Sequence, residues 1–311
     1  MRTLNLLLLL SGAALAADLR IGIIGTDTSH VPAFTAILND ASNPEHIAGA
    51  RVVAAYKGGS PDLEISRSRV DKFAEEVRTK WNVEIVPDIA TLCKSVDVVL
   101  LESVDGRIHL EQARQVIAAR KPLFIDKPLA ASLEDAREIA RLAKAAGVPV
   151  FSASSFRFGE IAAALKSPEA TGATVWGPGP LEPLYPLDLA YYGIHSVEML
   201  YTLLGPGCEA VSRVSTADTD ELVGRWKNGR VGTVRLIRPY SEAGAVVFQP
   251  KKIVQSDPKM NQPYVALLRE VVKFFKTGVS PVSIDETVEI IAFLDAAQRS
   301  QQAGGKLIPL R

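Results

Sequence analysis

In the first half of the chain, short apolar runs alternate with stretches of helical periodicity. Five runs are rich in Val, Ile and Leu without regular polar alternation, which is typical of strands that are covered on both faces. They occupy residues 19–25, 51–56, 96–102, 122–126 and 148–152. This alternation of strand and helix predicts an α/β fold with a doubly wound parallel sheet of the Rossmann type.

The stretch 132–147 illustrates the helical pattern between these strands. Ser132 is a suitable N-cap, acidic residues fill the first turn, and Gly147 marks the end. One apolar stripe follows the helical repeat: it consists of Leu133, Ala136, Ile139, Ala140 and Ala143. The pattern therefore predicts an amphipathic helix that packs on the sheet.

After residue 154 the pattern changes. Residues 171–187 are rich in Gly and Pro and are predicted to be a loop, and residues 192–204 are predicted to be a helix. Strands are predicted at 221–227 and 230–238 around the hairpin signal Asn228-Gly229, with one more strand at 245–254. Helices at 264–276 and 285–301 complete an α+β domain with a mainly antiparallel sheet.

The N-terminus has the features of a secretory signal peptide. A positive Arg2 precedes an apolar run at residues 6–10, and Ala14-Leu15-Ala16 has the form of a cleavage site. We therefore predict a signal peptide at 1–16, a Rossmann-like domain at 17–154 and a substrate and oligomerisation domain at 155–311. The protein is then exported to the periplasm or secreted; a membrane anchor or an uncleaved tail is the alternative.

Composition excludes some classes of function. The chain has 311 residues, with 35 basic and 35 acidic side chains. This balance gives no electrostatic basis for binding nucleic acid or an anionic membrane. Cys93 and Cys208 are far apart in sequence and are predicted to be two buried free thiols. The four histidines are scattered, and no metal site is predicted from residue spacing.

Lys127 and His195 are the leading candidates for chemistry. Lys127-Pro128 follows a predicted strand, at the sheet edge where ligands bind in such folds, so the lysine could donate a proton to a substrate oxygen. A surface lysine at a strand end is the alternative. His195 opens an apolar helix, and it either exchanges a proton with a hydroxyl or packs in the core.

Other polar and aromatic residues are candidates by position. Asp188, Tyr191 and Tyr192 precede the helix of His195 and either line the same cleft or serve packing. His109 and His30 begin helices, where they either face a cofactor or satisfy the local backbone.

The stretch 21–30, "IGIIGTDTSH", begins as a buried strand and enters a glycine turn. A turn that holds a pyrophosphate has glycines where this chain has Asp27 and His30. Thr28 and Ser29 are available as hydrogen-bond donors at the start of the following helix.

Taken together, these motifs resemble the glucose–fructose oxidoreductase/inositol dehydrogenase family, known as Gfo/Idh/MocA. The resemblance covers the mature chain in order: "IGIIGTDTSH" stands for the phosphate turn and Asp126-Lys127-Pro128 for the family's Glu-Lys-Pro. "SSFRF" resembles the crossing into the second domain, "GIHSVEMLYTLLG" the catalytic-histidine helix, and "VGRWKNGRVGTVRL" the sheet hairpin.

The resemblance implies an oxidoreductase that moves hydride between NAD or NADP and a sugar, cyclitol or related polyol. It implies that Lys127 and His195 are catalytic, with Tyr191 where the family has an aspartate. The implied cofactor residues are Gly25, Thr26, Asp27, Thr28, Ser29, His30, Lys57, Ser60, His109, Asp126, Lys127 and Pro128. The implied substrate residues are Lys127, Arg157, Asp188, Tyr192 and His195.

Several expectations remain open at this level. The acid that follows the second strand in the family is missing, and Lys57 with Ser60 weakly favours NADP. The family implies a homo-oligomer through the C-terminal sheet. Two alternatives to the oxidoreductase are a lyase or epimerase with a retained NAD and a non-catalytic carbohydrate-binding protein. The binding protein predicts that Asp27 or His30 fills the space above Gly25.

Overall fold

A computed structural model describes residues 17–311, so the predicted signal peptide at 1–16 lies outside the described residues. Residues 17–153 contain six strands and six helices. In chain order they are β1 Leu19–Ile24, α1 His30–Asn39, β2 Ala50–Tyr56, α2 Glu64–Arg67, α3 Val70–Trp81, β3 Glu84–Val86, α4 Ile89–Ser95, β4 Val98–Leu101, α5 His109–Ala118, β5 Leu123–Asp126, α6 Leu133–Ala146 and β6 Val150–Ala153.

The first sheet is parallel, with the strand order β3-β2-β1-β4-β5-β6. All five predicted strands are present, and the short edge strand β3 was not predicted. Helix α6 has the predicted ends: the Ser132 side chain accepts a hydrogen bond from the Asp135 N–H, and Gly147 adopts a left-handed conformation. The order reverses between β1 and β4, and ligands bind at this point in doubly wound sheets.

The second part forms a seven-stranded, mostly antiparallel sheet, on which the long helices α8 and α10 pack. After a short 3₁₀ turn at Ser155–Arg157, the elements are α7 Glu160–Leu165, β7 Gly172–Pro178, α8 Ile194–Leu204, β8 Cys208–Ser215, β9 Thr219–Trp226, β10 Val231–Ile237, β11 Gly244–Gln249, β12 Lys252–Gln255, α9 Tyr264–Thr277, α10 Ile284–Gln302 and β13 Ile308–Pro309. The strand order is β12-β11-β7-β10-β9-β8-β13, and among these described strands only β7 and β10 pair in parallel.

Two local predictions in this part are wrong. The stretch predicted as a loop contains β7, which lies inside the sheet because both β10 and β11 pair with it. The single strand predicted at 245–254 is a hairpin of β11 and β12. In the first case, the glycine and proline content of residues 171–187 indicated a loop and masked the β-forming residues of β7. In the second, the polar turn between the two strands was overlooked.

The last two long helices return to the first sheet. Apolar residues of α9 share one hydrophobic core with α1 and with the strands that α1 covers. Helix α10 packs against α6 and β6 as well as against β8. The two sheets are therefore held by a continuous set of packed helices, and the carboxyl edge of the first sheet faces the second.

Both cysteines, Cys93 and Cys208, are buried and unpaired, which confirms the prediction of free thiols. Within residues 17–311, every helix is too short or too polar to cross a membrane.

Candidate active site

A cleft of about 570 Å³ lies where the first sheet's carboxyl edge meets the second domain. The glycine turn, the end of β5, the start of α8 and the loop after β10 contribute its walls. Sequence-predicted residues that line it are Thr28, Ser29, His30, Lys127, Tyr191, Tyr192 and His195. The fold thus brings together the candidate lysine and the candidate histidine, which are 68 positions apart in the sequence.

Lys127 projects from the end of β5 into an aromatic wall. Its Nζ lies 5.9 Å from the centroid of the Tyr191 ring and 5.7 Å from that of Tyr192. Burial lowers the pKa of Lys127, and the nearby carboxyl groups of Asp126 and Glu102 oppose this effect. Among residues 17–311, no carboxylate lies within 4.0 Å of Nζ, so the ammonium is free to meet a ligand oxygen.

His195 lies in the first turn of α8 and lines the same cleft as Lys127. Its Nδ1 is 2.7 Å from the hydroxyl of Ser154, and its ring packs against Phe156 at a centroid distance of 5.0 Å. Burial lowers the pKa of His195 well below its ordinary value, and the charge on Lys127 adds to the effect. The imidazole is therefore neutral near pH 7 and is suited to accept a proton.

The glycine turn is closed by a buried carboxyl group. Asp27 is fully buried, with Oδ1 accepting a hydrogen bond from the Val104 N–H at 3.0 Å and Oδ2 accepting one from the Ser66 hydroxyl at 2.6 Å. Burial raises the pKa of Asp27, and these hydrogen bonds partly offset the rise. A Cβ at Gly25 would lie 2.3 Å from Ser103 Oγ. The turn therefore packs closely against Ser103 and places a buried carboxyl group two residues after Gly25.

The other end of the turn is open to the cleft. Ser29 is exposed and Thr28 lines the cleft. In residues 17–311, the backbone N–H groups of these two residues have no hydrogen-bond partner. They precede the ten-residue helix α1, whose N-terminus favours an anion. This end of the turn has the donors that a phosphate group needs.

The end of β2 is partly covered by the following segment. The Thr26 hydroxyl donates to the Val70 carbonyl at 2.8 Å, and the Ser60 side chain is buried. Lys57 forms an ion pair with Asp71 in which both side chains are exposed. Of the two residues predicted to favour NADP, only Lys57 is therefore accessible.

Three ionisable side chains meet beneath the cleft. His30 Nδ1 lies 2.6 Å from Asp126 Oδ2, and the His30 ring packs edge-on against Tyr264. Glu102 is fully buried, and neither of its oxygens has a hydrogen-bond partner in the described residues. Burial raises the pKa of Glu102 well above its ordinary value, and the neighbouring Asp126 raises it further.

Some sequence-predicted site residues do not line the cleft because structural contacts occupy their side chains. His109 is buried, with its ring nitrogens 2.9 Å from the Pro128 carbonyl and 2.8 Å from that of Ser103. The Arg157 guanidinium is engaged by Glu198 and Glu286, and Asp188 pairs with the buried Arg213. Because these groups are occupied in structural contacts, we do not include them among the residues that meet a ligand.

Sequence reasoning missed two residues of this region. Glu102 ends a predicted strand at the same sheet edge as Asp126, and this shared position was the available signal. Ser154, whose hydroxyl contacts His195, is the first residue of the "SSFRF" motif, and that motif indicated the crossing between the domains but not a contact with the histidine.

Comparison with known proteins agrees with this architecture. Residues 19–154 match the model of the oxidoreductase family with an NAD-binding Rossmann fold, GFO_IDH_MocA. This domain belongs to the Gfo/Idh/MocA family. The family is one of NAD-binding oxidoreductases, so the predicted family and enzyme class are confirmed for it. Among curated proteins, none matches the chain in sequence.

Solved structures share the fold over nearly the whole chain. A probable dehydrogenase from Thermotoga maritima is 22% identical, with a TM-score of 0.74 and coverage of 94% of this chain and 99% of that one. Myo-inositol dehydrogenase from Lactobacillus casei, solved with NAD(H) and myo-inositol, is 18% identical, with a TM-score of 0.74 and coverage of 94% and 97%. The WlbA dehydrogenase from Bordetella pertussis, in complex with NADH and UDP-GlcNAcA, is 18% identical, with a TM-score of 0.73 and coverage of 94% and 99%. These similarities confirm the predicted fold class.

Proposed function

We propose that the protein is an oxidoreductase that transfers hydride between a nicotinamide cofactor and a sugar, cyclitol or related polyol. The observation that carries this proposal is the meeting of Lys127 and His195 in one cleft, above the glycine turn of an NAD-binding family. Oxidation of an alcohol releases one proton from the hydroxyl, and a neutral His195 accepts it. The Lys127 ammonium stabilises the developing negative charge on the same oxygen.

The aromatic wall suits a polyol substrate. Tyr191 and Tyr192 line the cleft, and a tyrosine side chain can contact both the C–H faces and the oxygens of a sugar ring through its ring and its hydroxyl group. In this proposal Lys127 and His195 are catalytic residues, and the tyrosines orient the ring.

The residues present fit a phosphate of a nicotinamide cofactor at the start of α1. Thr28 and Ser29 can hold it through their N–H groups, whereas Asp27 places a buried carboxyl group where the family has a glycine. The cofactor supplies hydride exchange when it is bound. We also infer a preference for NADP over NAD, because Lys57 is held only by an exposed ion pair that a 2′-phosphate can replace.

Cofactor content tests the proposal most simply. Mass spectrometry of the denatured, purified protein detects retained NAD(H) or NADP(H), and a titration with added cofactor covers the case of weak retention. We expect binding that is lost on Ser29→Pro, which removes an N–H donor, and kept on Ser29→Ala. No retained cofactor and no binding at millimolar concentration would end the oxidoreductase proposal.

The buried carboxyl of Asp27 favours one second candidate. If the space above Gly25 is permanently filled, the protein is a carbohydrate-binding protein with a degenerate nucleotide site. It would then bind a polyol in the cleft by calorimetry with the same affinity in the presence and absence of cofactor. The oxidoreductase should bind substrate more tightly with its cofactor in place.

We further propose export and self-association. A signal peptide removed after Ala16 would leave Ala17 as the N-terminus of the mature protein, which N-terminal sequencing of secreted material tests. Exposed apolar side chains of the second sheet include Val231, Phe248 and Ile253. We expect these residues to be covered in a homo-oligomer, which light scattering during size-exclusion chromatography tests.

A further inference from the structure

We propose that His30, Glu102 and Asp126 form a binding site for one divalent transition-metal ion, of the Mn²⁺ or Zn²⁺ class, beneath the cleft. This inference goes beyond the proposed function, which requires no metal.

The three residues come from neighbouring parts of one sheet edge. His30 begins α1 just after β1, Glu102 follows β4, and Asp126 ends β5, and these strands are adjacent in the sheet. One donor atom from each lies within 4.8 Å of the other two. An ion bonded to nitrogen and oxygen at about 2.0–2.2 Å holds its ligand atoms about 3–4 Å apart. The 2.6 Å contact between His30 Nδ1 and Asp126 Oδ2 would open to this spacing when the ion replaces the hydrogen bond.

The polar atoms of this cluster have unmet bonding capacity. Glu102 is fully buried, yet both of its oxygens lack a hydrogen-bond partner in residues 17–311, and Asp126 Oδ1 also lacks one. A buried carboxyl group without a partner is costly. The nearest lysine, Lys127, is not within ion-pair distance of either carboxylate. A cation at the centre of the cluster would satisfy all three oxygens.

The donor set indicates the kind of ion. One imidazole and two carboxylates suit Mn²⁺, Zn²⁺ or Fe²⁺ better than the all-oxygen sites of Ca²⁺. Because only three side chains bind, at least one coordination position is left for water or a ligand oxygen. His30 lines the cleft, which gives the ion an entry path.

The test is a metal titration of the purified protein, stripped with a chelator and measured without cofactor or substrate. Calorimetry with Mn²⁺ and Zn²⁺ is expected to show one site per chain. Titration with Co²⁺ is expected to give a visible absorption band from nitrogen and oxygen ligation. Glu102→Gln keeps the shape but removes a charged ligand. It should weaken binding by more than the roughly 10- to 100-fold expected for loss of an outer-shell partner.

The control is Glu242→Gln, which removes a carboxylate that lines the cleft outside the cluster; its metal affinity should equal that of the wild type. If Glu102→Gln fails to fold by circular dichroism, His30→Gln replaces it and should abolish the Co²⁺ band. Absence of binding at millimolar metal would overturn the proposal, as would equal affinity in the cluster variants. Because cofactor is absent throughout, neither result bears on the oxidoreductase proposal, which the measurement of cofactor binding tests separately.

Discussion

Two buried acidic side chains, Asp27 and Glu102, lie at the carboxyl edge of the same sheet, but they differ in the hydrogen bonds that they accept. Asp27 accepts hydrogen bonds from the Val104 backbone and the Ser66 hydroxyl. Glu102, near the same strand-end loop, accepts none in the described part of the chain. Both have a pKa raised by burial, but only Asp27 has partners that compensate it.

This difference separates a structural carboxyl group from one that is available to a ligand. Asp27 fastens the glycine turn to the segments that contain Ser66 and Val104. The side chain of Glu102 has no hydrogen-bond partner in the described residues, and this is the basis of the proposed metal site. Lys127 and His195 resemble Glu102 in this respect, because their side chains are also available to a ligand.

The largest expected effect is on catalysis in the cleft. Replacing Lys127 or His195 by Ala should lower kcat by roughly 10²- to 10⁴-fold, because each substitution removes a group that handles the hydroxyl proton or its charge. Steady-state rates with a panel of polyols and NADP⁺ measure this loss. The matched control is Tyr240→Phe, which alters an exposed cleft residue away from the proposed acid–base pair and should retain most activity. A wild-type rate in either alanine variant would exclude that residue from the mechanism.

Two substitutions test the comparison between Asp27 and Glu102 through their effects on the stability of the protein. Asp27→Ala should lower the free energy of unfolding by about 1–3 kcal/mol, because the Val104 N–H and the Ser66 hydroxyl lose their acceptor. Glu102→Met, similar in volume, should leave the metal-free protein as stable as the wild type or more so, since an unpartnered polar group is removed. Urea unfolding in the presence of a chelator measures both. Equal destabilisation by the two substitutions would show that Glu102 is as well compensated as Asp27.

The pH dependence of stability provides a smaller effect. The pKa of His195 is lowered in the folded state, so below about pH 6.5 the unfolded chain binds more protons at this position. Stability should therefore fall as pH falls, by at most about 1.4 kcal/mol per pH unit from this group. His195→Gln, which can keep the contact with Ser154, should reduce the slope between pH 7 and pH 5. An unchanged slope would mean that His195 is not buried in its neutral form.

The smallest expected effect concerns the choice of cofactor. Lys57→Ala should weaken NADP binding by a few-fold and leave NAD binding unchanged, since an exposed charge contact contributes only about 0–1 kcal/mol. Competitive binding of the two cofactors measures the ratio. A larger loss for NAD than for NADP would contradict the proposed role of Lys57.

Regular elements were predictable because local pattern determines them. The parallel strands and α6 follow from unbroken apolar runs and from the caps at Ser132 and Gly147. β7 was not predictable, because its place in the sheet depends on pairing with β10 and β11, which are distant in sequence. The meeting of Lys127 and His195 was expected only through the family resemblance. The contacts of Asp27 depend on Ser66, which belongs to no motif, so only the folded structure shows where that carboxyl group points.

The measurement that tests the central claim most directly is a fluorescence titration of NADPH and NADH with the wild type, Asp27→Gly and Ser66→Ala. The account predicts binding to the wild type and at least about tenfold tighter binding to Asp27→Gly, because removal of the carboxylate opens the path above Gly25. Ser66→Ala keeps the carboxylate and should give no such gain. If neither cofactor binds the wild type or Asp27→Gly at millimolar concentration, the cleft is not a nicotinamide site and the oxidoreductase account is contradicted.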